Sequence, residues 1–237
     1  MRRIIVFALL AVLAFAYAAT AADLPQYQVK RTTGKIVLDG ILDEADWASA
    51  QPFGDFVFPW WTEGEKEQTE AKMLWDDRFL YLSFVVQDKH IWADHFNTDD
   101  PCYQDDAVEL FWNPDPANLD FYQFEMNSIG NLLLQQKSTL ATIMMPHIAH
   151  RIDGTLNDDS DEDTGWVLEI AVRFDEYPEL NPGGTPKTGD MWRINLNRCG
   201  GETNQQYSQW NASATDRPNF HRPTEFGEIY FNAASVR

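Results

Sequence analysis

Positive charge is scarce in this chain. Its 18 Lys and Arg face 37 Asp and Glu, for a formal net charge of −19. A surface this acidic repels phosphate backbones and anionic headgroups, which argues against nucleic acid and membrane surfaces as partners. Cysteine is scarce as well: Cys102 and Cys199 are the only two in 237 residues. One disulfide between them suits an oxidising compartment, and two separate, half-buried thiols are the other reading; spacing alone does not decide. No C-x-x-C-H haem attachment is present. Only one long apolar run occurs, from Ile4 to about Ala19, with Arg2 and Arg3 ahead of it and Ala19-Thr20-Ala21-Ala22 at its end. This is the pattern of a cleaved signal peptide covering residues 1–22. The run is too short and wrongly flanked for a membrane span, the reading that would leave an uncleaved anchor, and no lipobox cysteine follows it. The expectation is export to the periplasm or the extracellular space, free of the membrane once the signal is removed. The chain shows neither an internal repeat nor a shift in composition. Residues 23–237 are therefore expected to form one domain, long enough to bury a substantial core.

Most of the remainder alternates. Thr69–Trp75 and Phe79–Gln87 read as strands joined by a hairpin turn at Asp76-Asp77-Arg78. Leu80, Leu82, Phe84 and Val86 share one face of the second strand, and Phe79, Tyr81, Ser83 and Val85 share the other. Residues 35–38 read as a short strand, and 43–50 as one or two helical turns capped by Asp43, with Trp47 pointing inward. Residues 165–174, 192–197, 207–210 and 226–231 read as further strands, while 143–150 has no clear period. Turn signals recur about every 8–12 residues, which predicts an all-β fold. The expected architecture is an antiparallel sandwich of immunoglobulin-like or jelly-roll-like type with one short helix, in which Trp47, Trp75, Trp166 and Trp192 fill the core.

Function-like chemistry concentrates between residues 103 and 131. In 107–112, Val108, Leu110 and Trp112 alternate with Ala107, Glu109 and Phe111, and Asn113-Pro114-Asp115-Pro116 ends the strand. In 121–127, Tyr122, Phe124 and Met126 share one face, and Gln123, Glu125 and Asn127 the other. Glu109, Gln123, Glu125 and Asn127 are thus expected to line one polar sheet face, rimmed by the acidic and aromatic loop 99–106. Sugar binding requires flat apolar faces for the C–H side of a pyranose and planar polar groups for its hydroxyls. Tyr103, Phe220, Trp92 and Trp60 or Trp61 are the loop aromatics available, and Asn197 joins the polar candidates.

Several ordered motifs carry a resemblance to a family. Ile36-Val37-Leu38-Asp39-Gly40-Ile41-Leu42-Asp43-Glu44-Ala45-Asp46-Trp47 opens the series, and Leu74-Trp75-Asp76-Asp77-Arg78-Phe79-Leu80-Tyr81 follows. Next come Gln104-Asp105-Asp106-Ala107-Val108-Glu109-Leu110-Phe111 and Tyr122-Gln123-Phe124-Glu125-Met126-Asn127. Gly165-Trp166-Val167-Leu168-Glu169-Ile170-Ala171 and Pro223-Thr224-Glu225-Phe226-Gly227-Glu228-Ile229 complete it. In this order the six motifs resemble family 9 carbohydrate-binding modules over nearly the whole chain after residue 22. The resemblance implies a secreted, non-catalytic β-sandwich that binds a mono-, oligo- or polysaccharide, often with structural Ca²⁺, and that serves polysaccharide or glycan breakdown. It places Tyr103 and Phe220 at two aromatic clamp positions and Glu109 at a sugar-bonding carboxylate. Glu125 falls where the family carries a binding arginine, a departure.

Three other chemistries compete. Glu109 and Glu125 on neighbouring strands resemble the carboxyl pair of a glycoside hydrolase, which needs a separation of about 5 Å or about 6.5–9.5 Å across the bond. No other nucleophile or acid–base motif accompanies them, so a binding module is the stronger expectation. Met144, Met145, His147 and His150 cluster in sequence, as axial haem ligands of a cytochrome-like sandwich would; a loop with incidental His and Met is the bland alternative. Clustered carboxylates also suit Ca²⁺. Asp99, Asp100, Asp105 and Asp106 are better candidates than the acidic run 157–163, which lacks EF-hand spacing and reads as a solvated hairpin tip.

Overall fold

Among the described residues, alternation is realised as twelve strands. The computed structural model describes residues 24–136, 139–140, 145–177 and 183–235. Within them lie β1 (Gln26–Arg31), β2 (Thr69–Trp75), β3 (Phe79–Gln87), β4 (Ala107–Asn113), β5 (Tyr122–Asn127) and β6 (Leu132–Gln136). The second half supplies β7 (Thr139–Leu140), β8 (His147–Asp153), β9 (Gly165–Arg173), β10 (Met191–Cys199), β11 (Tyr207–Gln209) and β12 (Gly227–Ser235). A short helix, α1 (Ala45–Ser49), and three 3₁₀ turns complete the described elements. Residues 1–22, expected as a signal peptide, and Met144 lie outside the described residues.

All strands join one hydrogen-bonded sheet in the order β7-β6-β5-β4-β10-β12-β1-β2-β3-β9-β8, with β11 added to β10. The sheet curls so that its two halves face each other. Val108, Leu110 and Trp112 of β4 and Tyr122, Phe124 and Met126 of β5 meet Leu80, Leu82, Phe84 and Val86 of β3 in one buried cluster. These are the faces expected from the alternation, and the result is a β-sandwich. Trp47, Trp75, Trp166 and Trp192 are all buried, as anticipated.

The antiparallel expectation holds for most ladders but not all. β1 runs parallel to both β12 and β2 and bridges the two halves of the sheet. Its signal is thin: Tyr27 and Val29 are its two buried apolar positions, set among Gln26, Gln28 and Lys30. Residues 35–38, expected as a strand, form no ladder, and the Val37 N–H donates instead to Glu44 Oε1 (2.8 Å). The helix also starts differently from the expectation. Glu44, not Asp43, holds the N-cap position, and no side chain caps it.

What anchors α1 is its side chains. Asp46 accepts from the backbone N–H groups of Thr33 and Gly34 and from the Thr33 hydroxyl. Trp47 Nε1 donates to Glu169 Oε1 (3.0 Å) on β9, and Glu169 Oε2 accepts from the Asp39 and Gly40 N–H groups. One buried carboxylate thus fastens the Asp39-Gly40 turn and the helix tryptophan to the sheet. Gly40 has φ +79°, and a Cβ there would stand 2.8 Å from the His150 carbonyl oxygen, so the turn needs glycine. Asp76 does similar work in the first hairpin, accepting from the Arg78 and Phe79 N–H groups and the Tyr81 hydroxyl.

Candidate functional site

The outer face of β5, β4 and β10 forms the floor of the site. Register sets its rows: Glu109 opposes Glu125 on one side and Asn197 on the other, and Phe111 opposes Gln123 and Asn195. Because side chains alternate along a strand, Ala107, Glu109 and Phe111 all project away from the main core. There Ala107, Phe111, Phe121, Cys199, Phe220 and Phe226 make a separate apolar cluster, against which Trp60 and Tyr207 pack.

Two loops raise walls on this floor. Tyr103 sits on the 3₁₀ turn Cys102–Gln104 just before β4 and is 45% exposed. Opposite, the segment 218–221 brings in Pro218, Asn219, Phe220 and His221. Together with Glu109, Glu125, Gln135, Cys199 and Tyr207 they enclose a cleft of about 420 Å³. Of the residues expected to bind sugar, Tyr103, Glu109, Glu125 and Phe220 line this cleft. Gln123 and Asn127 do not. Gln123 is fully buried with its Oε1 3.0 Å from His221 Nε2. Asn127 is buried as a loop clamp, donating to the His95 carbonyl and to Asp105 Oδ2 (both 2.8 Å) while accepting from the Asn131 N–H. The expected clamp is also uneven. Phe220 is only 7% exposed because Trp60 and Tyr207 pack against it, at 5.6 and 6.3 Å between ring centroids.

Burial controls the chemistry of the floor. It pushes the Glu109 carboxyl well above the usual carboxylate range, opposed by hydrogen bonds from Cys199 Sγ (3.3 Å) and Asn197 Nδ2 (3.1 Å). Glu125 is raised further, first by burial and then by the neighbouring Glu109 charge. Carboxyl groups that hold protons in the fold after the unfolded chain has released them stabilise fully at low pH. That contribution is lost as pH rises through their raised range. The melting temperature is therefore expected to fall from mildly acidic to mildly alkaline pH, and Glu109→Gln to make that slope shallower. An unchanged slope in the variant would show that the pair does not set it.

Beside Tyr103, the loop 99–106 carries two scaffold carboxylates, Asp105 and Asp106. Asp105 accepts from the backbone N–H groups of Asp94 and His95, from His95 Nδ1 (2.8 Å) and from Asn127 Nδ2. Asp106 accepts from the Trp92 and Gly201 N–H groups (2.7 and 2.6 Å). The pair ties the segment 92–95 and the turn after β10 to the start of β4. Asp99 is exposed elsewhere, in a left-handed conformation with φ 65°. Of the four carboxylates expected to hold Ca²⁺, Asp105 and Asp106 are taken up by donors of the fold, and no cluster of three or more His, Cys, Asp or Glu fit for a metal ion occurs among the described residues. The acidic run 157–163 has an exposed tip, but its ends are structural: Asn157 Oδ1 accepts from the Ala93 N–H and Asp163 Oδ2 from the Ile91 N–H.

Of the two readings left open for Cys102 and Cys199, the structure shows separate thiols and no disulfide. Both are buried free thiols, Cys102 in the 3₁₀ turn and Cys199 donating to Glu109. Burial pushes the Cys102 thiol up to about 12 and Cys199 well above its usual range, so neither is a reactive thiolate. Of the residues considered as haem ligands, Met144 lies outside the described residues, and the two histidines do not share a strand face. Three residues apart on β8, His147 and His150 fall on opposite faces of the strand, and both are exposed. Sequence reasoning missed the roles of Tyr207, Cys199, Gln135 and His221. His221 was visible as part of a proline-flanked aromatic loop; the others show only in the register of β10, β11 and β6.

The family described as Carbohydrate family 9 binding domain-like matches residues 38–233. Among solved structures, a Bacteroides uniformis protein assigned as carbohydrate-binding aligns with a TM-score of 0.69 at 19% identity, covering 89% of this chain and 100% of that one. A family 9 carbohydrate-binding module from Caldicellulosiruptor kristjanssonii in complex with glucose aligns with a TM-score of 0.60 at 16% identity, covering 90% of this chain and 98% of that one. A family 9 carbohydrate-binding module from the same organism in complex with cellotriose gives 0.61 at 16% identity, with 88% of this chain and 95% of that one covered. Among curated protein sequences none matches the chain.

Proposed function

The chain belongs to the Carbohydrate family 9 binding domain-like family, and from that premise we propose that it binds a saccharide in the cleft between Tyr103 and Phe220. The observation that supports this most is the meeting of four residues from separate parts of the chain around one cleft: an exposed tyrosine ring, a phenylalanine wall and two floor carboxyl groups. Tyr103 supplies the flat apolar face, and Glu109, held by Cys199 and Asn197, is fixed to bond a hydroxyl. The similar Caldicellulosiruptor kristjanssonii structures are complexes with glucose and with cellotriose, which makes these sugars the natural first probes.

Binding without catalysis is the better reading of the two carboxyl groups. Glu109 and Glu125 occupy directly opposed positions on one sheet face. That placement suits either chemistry, and the match of residues 38–233 to a carbohydrate-binding domain family is what favours binding. Calorimetric titration with a panel headed by glucose tests the assignment. Tyr103→Ala is expected to weaken binding about tenfold, the effect of losing one aromatic anchor. Binding equal to wild type in a folded Tyr103→Ala protein would remove Tyr103 from the site.

Export is part of the same reading, motivated by the pattern of residues 1–22. N-terminal sequencing of protein recovered from outside the cytosol should begin shortly after Ala19-Thr20-Ala21-Ala22. Recovery of the chain only in the cytosol with Met1 retained would contradict it. An exported saccharide binder fits a role alongside glycan breakdown.

A further inference from the structure

A second cleft, of about 360 Å³, lies beside the first, and Tyr207 and Pro218 line both. Trp60 and Trp61 form its aromatic side, with the neutral side chains of Thr203, Asn204 and Gln205 across from them. Trp60 is fixed: its Nε1 donates to the Thr215 carbonyl (2.7 Å), and its ring packs on Phe220, a wall of the first cleft. Trp61 is different. It is 42% exposed, an unusual placement for so large an apolar ring, and the Lys66 ammonium 4.6 Å from its ring centroid steadies it. The turn carrying it is built to close on the opposite wall. Gly64 has φ +89°, and a Cβ there would stand 2.6 Å from Asn204 Oδ1, while Asn204 Nδ2 donates to the Glu65 carbonyl (3.0 Å). An exposed indole held beside amide and hydroxyl groups offers what a pyranose requires: a flat apolar face and planar hydrogen-bonding partners.

We propose that this second cleft is a further saccharide subsite. The ligand is then an oligosaccharide crossing the ridge of Tyr207 and Pro218, with one sugar unit against Tyr103 and a neighbouring unit against Trp61. The inference rests on the first cleft being a sugar site, and it adds that a single sugar fills only part of the binding surface.

Calorimetric titration of wild type, Trp61→Ala and Trp61→Phe with glucose and with cellotriose tests it. Wild type is expected to bind cellotriose about tenfold or more tightly than glucose, the increment of one extra aromatic anchor. Trp61→Ala should bring that ratio close to one, and Trp61→Phe, which keeps a flat ring, should retain most of it. A ratio unchanged in Trp61→Ala would overturn the subsite. So would equal affinity of wild type for both sugars, although glucose binding would then still stand for the first cleft. Failure of wild type to bind either sugar would overturn the reading of the first cleft and the subsite with it.

Discussion

Replacing Arg198 with methionine is expected to lower the unfolding free energy by about 3–5 kcal/mol, the cost of leaving buried charge without its partner. Arg198 is fully buried on the core side of β10, where Ile194 and Leu196 precede it on the same face. Its Nη1 donates to the carbonyls of Glu67 (3.0 Å) and Gln87 (2.8 Å), and its Nη2 to Glu67 Oε2 (3.3 Å) and Asp88 Oδ2 (3.1 Å). Those carboxylates have other work. Glu67 accepts from the Lys89 N–H and from Gln206 Nε2, and Asp88 from Trp166 Nε1. Removing the guanidinium would leave two buried carboxylates without a counter-ion near a third, Asp106. Burial and Asp88 already push the Asp106 carboxyl up to about 7, against the pull of Arg198. Arg198→Lys should fall between wild type and Arg198→Met, because an ammonium lacks the planar fork that serves four acceptors. Urea denaturation measures the loss directly. An Arg198→Met protein within about 1 kcal/mol of wild type would show that the cluster is not a keystone of the fold.

The two clamp aromatics are expected to separate cleanly when each is truncated. Phe220→Ala removes a ring packed in the cluster with Phe111, Phe226 and Trp60, and should cost about 3–5 kcal/mol of stability. Tyr103→Ala removes a half-exposed ring and should change stability by no more than about 0.5 kcal/mol. The same pair is expected to behave differently in binding, because Tyr103 has much the more open ring of the two. Loss of binding in Phe220→Ala therefore carries meaning only below its lowered melting temperature, and Phe220→Leu, which keeps most of the volume, is the better probe of the wall. Equal thermal shifts for the two alanine variants would contradict the uneven clamp.

How far the sequence reached depends on the range of the interaction concerned. Faces were legible: Val108, Leu110 and Trp112 turn inward and Glu109 outward, because period-2 alternation is a local property of the chain. Tyr103, Glu109, Glu125 and Phe220 were named as candidates and meet at one cleft. Long-range choices were not legible. The parallel strand β1 is defined by partners about 45 and 200 residues away, and its own six residues carry only two buried apolar positions. Asp105 and Asp106 have the composition of a cation site. What they do instead depends on which backbone N–H groups the fold delivers to them, a matter of tertiary placement. Asn127 and Gln123 shared the expected polar face with Glu125, yet loops cover them, and no periodicity announces a cover. Nothing local in the sequence marks Arg198 as the centre of a buried ion cluster, because its partners Glu67 and Asp88 lie more than 100 residues away.

The most direct test of the sugar cleft is a crystal structure of the chain grown or soaked with glucose at saturating concentration. The expected result is one pyranose ring in the cleft, its C–H face against Tyr103 and a hydroxyl within hydrogen-bonding distance of Glu109, with the fold otherwise unchanged. A ring bound elsewhere on the surface, with the cleft between Tyr103 and Phe220 holding only solvent, would contradict the assignment.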